Sequence, residues 1–375
     1  MTAIYLDHQA TTPTDSRVLE AMLPWMSRPA NPHAIHSFGQ DAAEAVETAR
    51  QQIAGLVGAD ARQVFFTGGA TEAANIAIRS LPAGSRVLAS PIEHACVTET
   101  LASMGNSLDI AYAEIDGEGL LDADAIADQA VGFDAVVAMA VNNEIGTVQP
   151  MPEIGSACRL VGAALLTDIT QAAGRIPVDL RAWDAQAAWL SSHKIYGPQG
   201  IGALVWRDTR PPQPLSTGGG QEHGVRPGTV ATALAVGFGK ACELAAAEME
   251  RDSRHAAALA ERFLDAIRRE HPDVVVNGSA ERRIPHNLNL AFEGADADHL
   301  MALLPGLAIS TGSACSAGAI GTSRVLMAIT SEAIAASSIR VGFGRSSTIQ
   351  EVDQAAEMIS EVVRGLTAGA LKKVG

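Results

Sequence analysis

Lysine occurs only at positions 194, 240, 372 and 373. Lys240 lies in a helical-looking run and the last two in a polar tail, so the lysine placed for chemistry is Lys194. It sits in SSHKIYGPQG (191–200), where an apolar run meets a Gly/Pro turn. A buried amine gives up its proton more readily and can then form an imine; the plain alternative is a solvated lysine at a strand end. In TDITQ (167–171), Asp168 ends another apolar run. A carboxylate there can pair with the protonated pyridine nitrogen of pyridoxal 5'-phosphate (PLP) and keep the ring electron-poor, or it can cap the next helix. TGGATE (67–72) follows the strand-like VFF and opens a helix. Its glycines permit a tight turn, and the helix N-terminus offers N–H groups to a phosphate with Thr71 adding a hydroxyl. The segment lacks the Gly-Lys of a nucleotide-binding P-loop, and many such turns bind nothing. His94, in ASPIEHACV, follows a strand; its ring can stack on a flat cofactor, cap a helix or fill a core.

Two further segments stand apart. In TGSACSAG (311–318), small residues and glycines surround Cys315. That is the setting of a mobile, accessible thiol rather than a core cysteine. Beside PLP, such a thiol can attack sulfur on a bound substrate and leave with it as a persulfide. SIRVGFGR (338–345) puts Arg340 on a strand, where it can grip a carboxylate in a bidentate pair or serve a structural salt bridge.

The elements that must hold these groups follow from hydrophobic periodicity. Helices are predicted over 15–27 and 41–57, with NPHAIHSFG (31–39) as a loop between them. From 64 to 206 the chain alternates strands (64–69, 86–91, 108–116, 135–143, 163–171, 188–194, 201–206) with helices (70–81, 96–105, 119–130). Asp122 or Asp124 is expected to cap the last of these helices. Alternation of this kind implies an α/β fold with a mostly parallel central sheet. Ligands in such sheets bind beyond the carboxyl ends of the strands, where the polar residues above lie. A long helix is expected from Val230 to about Arg269, its first part bridging two domains. Beyond it, strands at 274–278, 286–292 and 338–344 alternate with helices near 296–304, 322–329 and 350–367, which reads as a smaller α+β domain. The expected division is an N-terminal arm (1–14), a large PLP-binding domain (15–245) and a small C-terminal domain (246–375) carrying a mobile Cys315 loop.

With 375 residues, 47% hydrophobic and 18% charged, the chain has the composition of a well-buried globular protein. Its net charge of −15 disfavours nucleic acid and anionic lipid as partners. MTAIYLDHQATT lacks the apolar core of a secretory signal, and no long apolar run suggests a membrane span, so a cytoplasmic location is expected. The cysteines, at 96, 158, 242 and 315, are few and widely spaced; neither a metal site nor disulfides are expected.

The segments YLDHQATTP, NPHAIHSFG, FTGGATEAANIAI, VNNEIGTVQP, TDITQAAGRIPVDL, SSHKIYGPQGIGAL, GGGQEHGVRPGT, STGSACSAG and SSIRVGFGR occur in a fixed order along nearly the whole chain. In this the chain closely resembles the cysteine desulfurases of the NifS/IscS-like branch of the class V PLP-dependent aminotransferase family. The resemblance implies the aspartate-aminotransferase type of PLP-dependent transferase fold, as a homodimer. It implies conversion of L-cysteine to L-alanine, with sulfur leaving through a Cys315 persulfide to a sulfur-accepting scaffold or carrier protein for iron–sulfur cluster assembly. Lys194 matches the lysine that holds PLP, Asp168 the acid at the pyridine nitrogen, Gln171 the partner of the phenolic oxygen, and His94 the stacking imidazole and acid/base group. Asn142 resembles the asparagine near the ring hydroxyl and the substrate carboxylate. Ala70, Thr71, Ser191 and His193 match cofactor-binding positions around the phosphate. Thr229, in RPGT, matches the phosphate contact donated by the other subunit. Arg340 matches the binder of the substrate carboxylate. In a complex, Cys315 could also contact a cluster or a metal ion.

The chain departs from its relatives at His8-Gln9, at Ile169 where alanine is usual, at Ser192 where glycine is frequent, and at His223 in place of an arginine. It also stops soon after its last helix, where some relatives carry a tail that engages a scaffold protein. Two rival readings stay open. One is another PLP enzyme: a selenocysteine lyase, a cysteine-sulfoxide or other cysteine/cystine lyase, or an aminotransferase, with Cys315 as the discriminator, since a lyase can work without it and a desulfurase that makes a persulfide cannot. The other is a non-catalytic partner in a sulfur network, which the intact Lys194, Asp168, His94 and Cys315 argue against.

Overall fold

The protein is described from a computed structural model covering residues 3–311 and 322–369. The chain opens with β1 (Ile4–Tyr5), α1 (Ser16–Ser27) and α2 (Ser37–Val57). The alternating centre follows: β2 (Val64–Thr67), α3 (Ala70–Arg79), β3 (Arg86–Ala89), α4 (Ala95–Ser103), β4 (Asp109–Tyr112), α5 (Ala123–Gln129), β5 (Ala135–Val137), α6 (Met151–Val161), β6 (Ala164–Asp168), β7 (Ala185–Ser191) and β8 (Gly202–Trp206). Next come α7 (Thr232–Glu270), β9 (Val275–Val276), β10 (Asn287–Ala291), α8 (Ala297–Ala302), β11 (Leu307–Ala308), β12 (Ser310–Thr311), α9 (Arg324–Ile329), α10 (Glu332–Ala336), β13 (Ser338–Gly342) and α11 (Ile349–Thr367).

The central sheet runs β2-β8-β7-β6-β5-β3-β4. Its pairs from β7 through β4 are parallel, whereas β8 is antiparallel to both neighbours. The link from β7 to β8 is only residues 192–201, too short for a helical crossover, so the chain turns back on itself. Successive side chains on the strands enter opposite cores. Phe66, Val136, Leu165, Leu190 and Val205 face one layer of helices. Phe65, Val137, Leu166, Trp189 and Leu204 face the other. Burial on both faces explains why these strands read as continuous apolar runs.

A separate core forms around β10, β13, α11 and the second half of α7. The helix α7 joins the two: Phe238, Ala241 and Cys242 belong to the first core, while Ala256, Leu259 and Phe263 belong to the second. A second sheet, β12-β13-β10-β9, is antiparallel. The arm joins this side of the molecule, with β1 pairing parallel to β11 and Asp7 bridging to Gly342.

The loop expected over 31–39 ends early, because α2 begins at Ser37 with His36 as its cap. The His36 ring accepts from Gly39 N at 3.2 Å. Histidine is not among the usual capping residues, so the signal was weak. Gly39 is needed there, since a Cβ would meet Ala34 O at 2.0 Å. The cap of α5 is Asp122, whose side chain accepts from Asp124 N.

Candidate active site

The carboxyl ends of β6 and β7 and the turn after β2 open onto one cavity of about 910 Å³. Its wall includes Gly68, Gly69, Ala70, Thr71, His94, Asp168, Gln171, Ser191, His193 and Lys194. The α3 N-terminus has no side-chain cap. Its first-turn N–H groups are therefore available to an anion, with the positive end of the helix dipole behind them. β8 backs this turn closely: a Cβ on Gly202 would lie 2.6 Å from Gly69 Cα.

Asp168 ends β6, 4% exposed, with Oδ1 accepting from Thr170 N at 2.8 Å. Lys194 ends a single 3₁₀ turn after β7, and its Nζ donates to Gln9 O at 2.7 Å and Ala10 O at 2.8 Å. Gln171 donates from Nε2 to Gln9 O at 3.0 Å, while its Oε1 is held by Arg175. His193 Nδ1 is 3.0 Å from Thr11 Oγ1. Burial, together with the nearby Lys194 and Arg175 cations, brings the His193 imidazole down to about 4. The ring is therefore neutral at pH 7, and a bound anion would favour its protonation.

His94 caps α4 and also lines the cavity. Its Nδ1 accepts from Cys96 N at 3.1 Å, which leaves Nε2 for proton exchange. The capping alternative for this residue is thus realised, with the ring at the cavity wall.

Some expected residues are elsewhere. Asn142 does not reach the cavity. It is fully buried, and its side chain is used by the turn: Oδ1 accepts from Glu144 N and Ile145 N, and Nδ2 donates to Ile92 O. Its neighbour Asn143 lines the cavity instead. Arg340 lies behind the wall, 1% exposed. Nη2 pairs with Asp7 Oδ1 at 2.7 Å and Nη1 donates to Asn143 O at 3.0 Å. Thr229 is exposed and does not line the cavity of its own chain. Cys315 falls outside the described residues.

Sequence reasoning missed the arm. Ala10 and Thr11 line the cavity, and Arg175, also missed, is buried against carbonyl oxygens of His8, Gln171 and Lys194. It also missed Glu93, whose carboxyl is buried behind His94 with Oε1 accepting from Met139 N. Direct adjacency to His94 was the one signal for Glu93.

The donor set fits PLP. An uncapped helix start with hydroxyls nearby suits a phosphate, a buried carboxylate at a strand end suits a pyridinium, and a lysine amine shares the same cavity.

Comparison with known proteins agrees. The Aminotransferase class-V family model matches residues 4–355. The cysteine desulfurase IscS of Rickettsia rickettsii (strain Iowa) is 42% identical over 382 residues, covering 97% of this chain and 92% of that protein. The solved structure of a NifS-like protein superposes with a TM-score of 0.90 at 28% identity, covering 97% of this chain and 100% of that one. SspA in complex with cysteine superposes with a TM-score of 0.80 at 33% identity, covering 92% and 99%.

Proposed function

Because the chain belongs to the class-V aminotransferase family, in its NifS/IscS-like cysteine desulfurase branch, we propose that it takes sulfur from L-cysteine, releases L-alanine and carries the sulfur as a persulfide on Cys315. The observation that carries this reading is the convergence of Lys194, Asp168 and the open start of α3 on one cavity. PLP, when bound, supplies an electron sink for bonds broken at the substrate.

Around that group, Ala70, Thr71, Ser191 and His193 would hold the phosphate, and Asp168 would keep the pyridine nitrogen protonated. Lys194 is the covalent anchor. Gln171 Nε2 has a second hydrogen for the phenolic oxygen, since Arg175 occupies its Oε1. Asn143, which lines the cavity where Asn142 does not, would be the asparagine that meets the cofactor. Arg340, steadied by Asp7 and Asn143 O, supplies positive charge for the substrate carboxylate. Lys194 Nζ and His94 Nε2 move protons at the substrate carbon and sulfur. Cys315 Sγ forms an S–S bond as the substrate C–S bond breaks.

A second copy of the chain completes the site through Thr229. In support, Thr229 is exposed, and α1 leaves Leu19, Leu23 and Met26 exposed at helical spacing, an apolar stripe suited to self-association. The persulfide sulfur then passes to an acceptor protein, with iron–sulfur cluster assembly as its use.

Mass spectrometry of the PLP-loaded protein after incubation with L-cysteine tests the proposal. One added sulfur mapped to Cys315, with stoichiometric alanine in the first turnover, is expected. Sulfur release that survives Cys315→Ala at full rate would replace this reading with that of a lyase.

A further inference from the structure

The arm segment Asp7–Thr12 has almost no regular structure, yet it bonds to both halves of the molecule. On the large side, Gln9 O accepts from both Lys194 Nζ (2.7 Å) and Gln171 Nε2 (3.0 Å), and Ala10 O accepts from Lys194 Nζ (2.8 Å). His8 O accepts from Arg175 Nη2 at 3.1 Å. Thr12 donates to His193 O through its N–H (2.9 Å) and its hydroxyl (2.8 Å). On the small side, Asp7 takes Arg340 at 2.7 Å and Ser310 Oγ at 2.7 Å. The Gln9 side chain donates to His286 O at 2.7 Å. Its amide fills the place beside β13 where a Cβ on Gly342 would come within 1.9 Å of Oε1. Gln9 thus ties the small domain with its side chain and the lysine with its main chain.

We propose that Asp7–Thr12 is a strap that receives the Lys194 amine whenever that amine carries no covalent bond to the cofactor, and that Gln9 is the positioning residue linking this docked state to the small domain. The inference rests on Lys194 being the PLP lysine. Two carbonyl oxygens at these distances make charge-assisted bonds to an ammonium, about twice as strong as neutral ones. They keep the released amine at the edge of the cavity, ready to return, rather than leaving it to swing freely on its four-carbon stem. Withdrawal of the amine removes two of the strap's bonds on the large side. The strap then keeps Gln171, Arg175 and Thr12 as its large-side ties, and the hold of Asp7 and Gln9 on the small domain counts for more. His8 and Gln9 are both buried in this strap, 2% and 1% exposed.

Hydrogen exchange on the full-length chain tests this. The amides of Ala10 and Thr12 are suitable reporters, because they are bonded to Asp7 O and His193 O. In wild-type protein freed of PLP, Lys194 is docked and these amides exchange slowly. In Lys194→Met freed of PLP, they are expected to exchange about tenfold faster, the scale of one lost hydrogen bond to a charged group, while amides of α3 stay unchanged. Loading wild type with PLP withdraws the amine and is expected to speed the strap as well, which supplies a comparison without any mutation. In Gln9→Met, which keeps side-chain bulk, the lysine-dependent difference should persist at 10–12 and vanish at 286–288, where wild type shows it. Equal strap exchange in wild type and Lys194→Met, both without PLP, would overturn the proposal. So would a lysine-dependent difference at 286–288 that survives Gln9→Met. Borohydride reduction of the loaded enzyme and mapping of the adduct separately checks the lysine: an adduct away from Lys194 overturns that reading and the cofactor-coupled part of the strap's role.

Discussion

Glu93 shows what a single buried side chain contributes behind an active site. It is 1% exposed, its Oε1 accepts from Met139 N at 2.5 Å, and its Oε2 has no hydrogen-bond partner among the described residues. Burial, reinforced by the Asp168 carboxylate, pushes its carboxyl up to about 8. It is therefore protonated at neutral pH, so Asp168 does not share its surroundings with a second full negative charge. The folded pKa stands above the unfolded one, so the folded chain binds the extra proton between roughly pH 4.5 and pH 8. The associated stability is complete below that window and is lost as pH rises through it. Glu93→Gln has no proton to lose. Urea unfolding should show it gaining on wild type from pH 5 to pH 8 and holding a constant lead above that. A difference that ignores pH would mean Glu93 is ionised in the folded protein. Lys194, Asp168 and His94 were legible as neighbours of one cavity because each ends or follows a strand there. It failed at Asn142 because two asparagines stand side by side. Which of them the turn consumes depends on backbone direction, and that carries no sequence mark.

At the scale of elements, the cradle depends on how closely β8 backs the turn after β2. Gly202 pairs with Thr67 in that antiparallel ladder, and a Cβ on it would lie 2.6 Å from both Gly69 Cα and Leu190 O. These are backbone atoms, so a clash moves a strand or the turn rather than a side-chain tip. Gly202→Ala is therefore expected to cost about 1–3 kcal/mol, as overpacking does. It should also shift the start of α3 enough to weaken PLP binding about tenfold. Urea midpoints and a PLP titration followed by protein fluorescence check both parts. Normal PLP affinity in a destabilised variant would show that the strand, and not the cradle, absorbs the change. Most helices and strands were legible because both faces of the central strands are buried and the helices between them are amphipathic. The direction of β8 was not, because an apolar run looks the same whichever way it points. Only the short link after β7 hinted at the reversal.

Across the whole molecule, the two cores are joined by α7 and by a layer of ions that no local pattern could reveal. Arg345, just past β13, pairs with Asp15 at 2.7 Å, with Asp252 at 2.7 Å and with Glu248 at 3.3 Å. Its guanidinium also lies over the Tyr196 ring, 4.4 Å from the centroid. Arg17 bonds the same Asp15 and Glu248 from the other side. The partners are up to 330 residues apart in sequence, which is why this junction appears only in three dimensions. The two arginines play different parts. Arg345 is mostly buried, and removing it leaves Asp252 without its link to β13. Arg345→Met should cost about 2–3 kcal/mol at pH 7, somewhat below the usual loss of one partner from a buried pair because Arg17 and Arg251 remain. Arg17 is the main reason that the Asp15 and Glu248 carboxyls lie below the usual range, Glu248 at about 2. Depressed carboxylates contribute stability above their unfolded pKa, near 4, and lose it as the pH falls toward 2. Thermal unfolding of wild type should therefore weaken between pH 4 and pH 2, and Arg345→Met should keep most of that acid limb at a lower overall stability. Arg17→Met should flatten it, with a smaller loss at pH 7 because Arg17 is the more exposed of the two. If Arg345→Met flattened the limb as much as Arg17→Met, the two would act as one unit, and the junction would be a single shared charge cluster rather than an anchor with a separate pH-sensitive rim.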